Sequence, residues 1–118
     1  MDNESILTSV KKQLNVPDED TDFDIDILAA INTCISILHQ VGLDSTMLVV
    51  KDKRATWDQL IPSPEFNIVK TYVFLKTKLI FDTPSSGIAT NSYKETLSEL
   101  EWRINVLCNS YKNTVGGN

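Results

Sequence analysis

Ile27-Leu28-Ala29-Ala30-Ile31-Asn32-Thr33-Cys34-Ile35-Ser36-Ile37-Leu38-His39-Gln40-Val41-Gly42 decides the fold. Its apolar residues Ile27, Leu28, Ile31, Cys34, Ile35, Leu38 and Val41 recur every third or fourth position. That spacing draws one broad face on an α-helix and cannot alternate as a strand must. Gly42 is the natural stop, because a helix often closes through a residue in left-handed backbone. Asn32, Ser36 and His39 fall on the opposite side. The helix is expected over about residues 22–41.

Upstream, residues 18–26 hold six acids: Asp18, Glu19, Asp20, Asp22, Asp24 and Asp26. Asp22-x-Asp24-x-Asp26 has the opening spacing of a calcium loop. Such a loop needs Gly next and Glu at its twelfth position, and Ile27 and Thr33 stand there instead. The preferred reading is a solvated acidic stretch favouring a helix N-terminus. Before Pro17, a shorter amphipathic helix is expected over residues 3–14. Asn3 caps it, Ile6, Leu7, Val10 and Leu14 form its stripe, and Lys11 and Lys12 suit the dipole in the last turn.

Downstream, Met47-Leu48-Val49-Val50 is β-prone and Lys51-Asp52-Lys53-Arg54 reads as a charged turn. Together they predict a short strand or hairpin arm near residues 43–55. Thr56 and Gln59 stand at capping-box spacing and open a short turn ending near Ile61. Ser63-Pro64 starts a third long helix, Pro64 to Phe81. Ile68, Val69, Tyr72, Val73, Leu75, Leu79 and Ile80 form its stripe, with Phe74 and Phe81 outside it. A helix apolar around most of its girth is usually covered on several sides, here by a neighbouring subunit as well as the core. A turn-rich loop is expected over residues 82–91. Ser92-Tyr93-Lys94-Glu95 reads as a capping box opening a final helix with the stripe Tyr93, Leu97, Leu100, Ile104 and Leu107. The fold class is therefore mainly α: a small bundle of about four helices in one domain, residues 1–109, with a flexible tail over 110–118.

The chain of 118 residues is 42% hydrophobic and 23% charged, with a net charge of −5. This is globular composition for a single domain. The acidic balance argues against sequence-independent DNA binding, which needs Lys and Arg against phosphate, and against an anionic membrane surface. No apolar run approaches the length of about 20 residues expected of a membrane span, and the acidic N-terminus does not read as a secretory signal. Cys34 and Cys108 lie among apolar helical positions and read as core thiols of a reduced, intracellular protein.

No enzyme is indicated. His39 is the one histidine, and the residues on its face, Asn32 and Ser36, offer no activated nucleophile. No zinc spacing and no glycine-rich phosphate cradle is present. Catalytic, cofactor and metal sites are thus all expected to be none. Trp57 and Trp102 each read equally as core or as interface anchor.

Several stretches in order resemble one family. They are Ile6–Leu14, Asp22-Phe23-Asp24 leading into Ile27–Gly42, and Ala55-Thr56-Trp57-Asp58-Gln59-Leu60. They continue with Val69–Lys76, Leu79-Ile80-Phe81-Asp82-Thr83-Pro84 and Leu100-Glu101-Trp102-Arg103-Ile104-Asn105. Together they span about residues 5–107 and are similar to the head–tail connector (adaptor) proteins of tailed bacteriophages and prophages of Gram-positive bacteria. The resemblance implies a small helical virion protein, assembled in the host cytoplasm, that forms a ring under the portal. The ring is dodecameric in the virion, and its subunits can be monomeric in solution. It joins the head to the stopper or tail-completion proteins and extends a channel through which DNA passes without specific binding. No cofactor, no catalytic site and no membrane belong to that picture.

A ring needs two different faces on each subunit. Met47, Leu48, Val49, Lys51, Lys53, Arg54, Trp57, Phe74, Phe81 and Trp102 are the candidate subunit or partner contacts. Ser110, Tyr111 and Lys112 are the candidate tail that orders on docking to the portal. Two alternatives stand: another phage neck or head-completion protein, a class more often β-rich, and a small helical regulatory binding module. A DNA-binding regulator would need a basic recognition helix, which the chain lacks.

Overall fold

The computed structural model describes residues 3–43, 48–81 and 87–112. Four α-helices follow one another: α1 (Ile6–Gln13), α2 (Asp24–Val41), α3 (Ile68–Phe81) and α4 (Gly87–Tyr111). Two short 3-10 turns, Trp57–Gln59 and Pro64–Asn67, lie between α2 and α3. The most extensive packing is α2 on α3 and α3 on α4, with α1 laid against α2 and α3. The molecule is the helical bundle that the periodicity implied.

Each helix forms where its pattern says, with small shifts at the ends. Ser5, not Asn3, caps α1: its hydroxyl accepts from the Thr8 N–H at 3.2 Å. The chain leaves α1 through Asn15 in left-handed backbone (φ 61°). The Val16 N–H reaches back to the Lys11 carbonyl at 2.8 Å and the Asn15 N–H to that of Lys12 at 3.2 Å. This six-residue closure satisfies the last carbonyls, and Asn tolerates the conformation better than most side chains. Gly42 closes α2 in the same way at φ 125°, with the Leu43 N–H on the Leu38 carbonyl at 2.9 Å. A Cβ at Gly42 would also come within 3.3 Å of the Cys108 Cβ, so glycine serves both the turn and the approach of α4.

The expected stripes are the core. Ile27, Ile31, Cys34 and Leu38 of α2 are fully enclosed, together with Val69, Tyr72 and Val73 of α3 and Ile104 of α4. α2 has 18 residues and a mean hydropathy of 1.2, long and apolar enough by length and composition to cross a membrane. This corrects the sequence-based expectation that no stretch comes near that length. Here its apolar stripe faces α1, α3 and α4.

Three expectations are corrected. No strand forms among the described residues 48–55. A strand without a partner strand is not stable, and Val50 is instead held by a side chain of α2. An isolated β-type bridge joins Ser5 to Thr56, where the Ile6 N–H meets the Ala55 carbonyl at 3.0 Å and the Trp57 N–H meets the Glu4 carbonyl at 3.1 Å. The first turn of the expected third helix, Pro64–Asn67, is 3-10, and Phe66 breaks the helical backbone there. The last helix begins at Gly87 rather than Ser92 and runs through Tyr111. Residues 87–91 of the expected loop and Ser110 and Tyr111 of the expected tail are therefore helical. Met47 and the loop residues 82–86 lie outside the described residues.

Candidate interaction surfaces

The N-terminal half is knitted together by side chains that reach backbone. Lys11 is 1% exposed. Its ammonium donates to the carbonyls of Asp18 (2.9 Å) and Asp20 (2.7 Å) and pairs with the Asp24 carboxylate at 2.8 Å. Two carbonyl acceptors and one carboxylate counter-charge surround the ammonium, which offsets the desolvation a buried cation otherwise suffers. The acidic stretch is thus more than a solvated face. It wraps a cation of α1, with the Thr8 hydroxyl also donating to Asp18 at 3.1 Å. Lys11 stands four residues after Leu7 and three before Leu14, on the apolar side of α1, and that position was the readable signal for its burial.

The helical spacing puts Asn32 on the outer side of α2. In fact it holds the 48–54 segment. Its Oδ1 accepts from the Val50 N–H at 2.8 Å and its amide donates to the Val50 carbonyl at 2.9 Å. This pair replaces the two ladder bonds that a neighbouring strand would supply. Beyond it, Leu48 is half-buried, while Val49, Lys51, Lys53 and Arg54 are exposed. Arg54 closes a local two-pronged pair with Asp52 at 2.8 and 3.1 Å. That pair lowers the Asp52 pKa, first through the side-chain hydrogen bond from Arg54.

The two tryptophans part company. Trp57 is fully enclosed and donates its indole N–H to the Ser9 hydroxyl at 3.0 Å. Phe74 meets it edge-on with centroids 5.6 Å apart, and the Lys70 ammonium lies 5.6 Å from its ring centre. Trp57 therefore belongs to the subunit's own core, which corrects it as a contact residue, while Phe74 packs against it half-buried. Trp102 is 67% exposed, with Val106 beside it one turn on at 42%. The wheel position of Trp102 announced this: it stands two residues from both Leu100 and Ile104, across the helix from the stripe.

A groove of about 470 Å³ opens between α2 and α3. α2 lines it with Asp26, Ala29, Ala30 and Thr33, α3 with Ile80 and Phe81, and Phe23 stands at one end. Phe81 is half-buried and meets Phe23 edge-on at 5.7 Å. Phe23 and Ile80 remain 45% and 47% exposed. The described lining takes nothing from α4, so the groove and the Trp102 face are separate surfaces.

The final helix is pinned to its neighbours. The Tyr72 hydroxyl donates to Glu101 at 2.7 Å, and burial, then the Glu101 carboxylate, pushes the phenol pKa up. Asn105 donates to the Val41 carbonyl at 2.6 Å. Tyr111 meets Phe66 edge-on at 5.5 Å, so it is anchored to the bundle, while Ser110 and Lys112 are exposed. Cys34 is enclosed beside the Thr77 hydroxyl at 3.6 Å, and burial raises its thiol to about 11. At that value it is a protonated, unreactive core thiol at neutral pH.

The model of the family described as phage connector protein matches residues 6–110. The chain belongs to the phage connector protein family. No curated protein and no solved structure matches it. The connector's matched span runs from the first residue of α1 almost to the end of α4, so the whole bundle is the family domain. Membership makes the chain a structural component of a phage particle, one that contacts other virion proteins.

Proposed function

We propose that this connector forms a ring beneath the phage portal, joins the head to the stopper or tail-completion proteins, and extends the channel for the genome without specific DNA binding. The observation that carries this reading is the pair of separate apolar surfaces, the Phe23–Ile80–Phe81 groove and the Trp102–Val106 face. Two unlike faces on one subunit are what a head-to-tail ring requires, whereas a closed dimer reuses one. The helical bundle also favours an adaptor over the β-rich neck components. The exposed tip at Val49, Lys51, Lys53 and Arg54 and the exposed end of α4 at Ser110 and Lys112 are the proposed contacts to portal and stopper. We infer that the exposed acids of the N-terminal segment outside the groove, such as Asp18 and Glu19, face the channel, where they would repel phosphate. Strong, salt-sensitive DNA binding by the assembled ring would contradict that placement.

Native mass spectrometry of the protein with the portal from the same genome, and alone, tests the reading. Binding in a ratio equal to the portal's subunit number supports it. A stable closed dimer that ignores the portal overturns it in favour of a regulatory module.

A further inference from the structure

The two apolar surfaces complement each other in shape and in charge, and we propose that the second copy of this chain is the groove's occupant: the Trp102 indole of one subunit seats between α2 and α3 of the next. The inference rests on the ring reading and names the contact that builds the ring. Three observations support it.

The first is size and lining. The groove of about 470 Å³ is flanked by Phe23, Ile80 and Phe81, while α2 presents the small residues Ala29, Ala30 and Thr33. Small residues on one wall and aromatic edges on another admit a flat ring. Aromatic pairs prefer edge-to-face geometry, and Phe23 and Phe81 already stand edge-on to each other at 5.7 Å.

The second is that Trp102 lacks cover in its own subunit. It is 67% exposed on a helix whose other side is pinned by Tyr72–Glu101 and Asn105–Val41. An exposed indole beside a second exposed apolar residue, Val106, is the composition of an interface centre rather than of a solvated face.

The third is the order of charge. Along the outer side of α4, Glu95 and Glu99 precede Trp102 and Arg103 follows it, while Lys94 and Lys112 share one line with a lysine at each end. Along the groove, Asp22 and Asp26 stand at the Phe23 end. Lys76, close enough to lower the Cys34 pKa by its charge, stands toward the other. Laying the incoming α4 with its C-terminal half over Phe23 sets Arg103 against Asp26 and the glutamates toward Lys76. The reversed direction sets Glu95 and Glu99 toward Asp26, so the charges nearest Trp102 favour one orientation. The Arg103–Glu99 bridge at 2.6 Å is exposed on both sides and exchanges partners at little cost.

Two variants and their mixture test the contact. Trp102→Ala removes the indole and Ala29→Trp fills the groove, and both positions are exposed, so far-ultraviolet circular dichroism should match the parent. Self-association, read by native mass spectrometry with and without the portal, should weaken on the order of 30-fold or more for each variant, the effect of truncating an aromatic anchor. Raising the salt should weaken the parent's association as well. An equimolar mixture of the two variants retains one good groove and one good indole per pair, so it should give a heterodimer that does not extend. Rings indifferent to both substitutions would overturn this contact and leave the ring reading standing. Loss of portal binding by Trp102→Ala with its rings intact would make Trp102 a portal anchor and also overturn the proposal. No assembly by the parent under any condition would overturn the ring reading and this contact together.

Discussion

The pocket around Trp57 and the outer face around Trp102 use the same side chain for opposite ends. Trp57 is closed in by α1 and α3, with every polar atom of its ring satisfied by Ser9 and its edges packed by Phe74. Trp102 rests on the outside of α4 with two thirds of its surface open. The first holds one subunit together, and the second is surface left over once the subunit is complete. The difference lies in neighbours. Trp57 follows a segment bonded to the start of α1, so it is drawn inward, whereas Trp102 is turned outward by the phase of its own helix.

The contrast is sharpest under truncation. Trp57→Ala should cost about 3–5 kcal/mol in urea unfolding, the usual range for an enclosed tryptophan. Trp102→Ala should stay within about 0.5 kcal/mol of the parent as a monomer. Equal losses at the two sites would break the comparison.

Lys11→Met asks whether the Trp57 side owes its order to the cation behind it. It leaves the Asp24 carboxylate and the carbonyls of Asp18 and Asp20 without their donor. We expect a loss of about 3 kcal/mol, together with faster hydrogen exchange of the amides of residues 18–24.

Alkaline pH probes the shared core between the two regions. The Cys34 thiol ordinarily titrates at 9.0 and in the fold at about 11. A raised acid pKa means that the unfolded chain loses its proton first, so stability is full below pH 9 and falls as pH rises through 9 to 11. The loss approaches roughly 2 kcal/mol at the upper end. Tyr72 adds a fall of the same sign above its ordinary 10.0. Cys34→Val should flatten the first part of the decline in urea titrations across this range.

Asn32→Ala should cost about 1–2 kcal/mol, because it strands both polar groups of Val50. It should speed exchange at the Val50 amide selectively and leave the α4 amides unchanged. At the smallest end, Glu99→Gln should change monomer stability by only about 0.3–0.5 kcal/mol, since its bridge to Arg103 is exposed.

Much of this was legible in the residues. The stripes of α2 and α4, the Gly42 stop and the Thr56–Gln59 box, in which the Thr56 N–H donates to the Gln59 side chain at 3.2 Å, follow from spacing alone. What misled was local punctuation without context. Ser92 is a good cap, yet α4 passes through it from Gly87, because an exposed serine inside a helix costs little. Val49-Val50 is β-prone, but no described strand pairs with it. Ser110 and Tyr111 read as tail because polar residues surround them, yet Tyr111 finds Phe66. For the candidate contacts, Trp102 and the tip residues Val49, Lys51, Lys53 and Arg54 stay exposed, Phe74 and Phe81 are half-buried, and Trp57 turns inward.

The order of apolar and polar residues by itself determined that this chain makes helices, where most of them stop, and which stripe of each is buried, because helical period and chain termination are local properties. Only the tertiary structure decided which tryptophan is core, that a lysine sits at the heart of the acidic stretch, and that α2 and α3 leave a groove while α4 leaves an indole uncovered. Those outcomes depend on which distant segments meet, and side chains 10 to 48 residues apart, such as Thr8 and Asp18 or Ser9 and Trp57, carry no local sign of meeting.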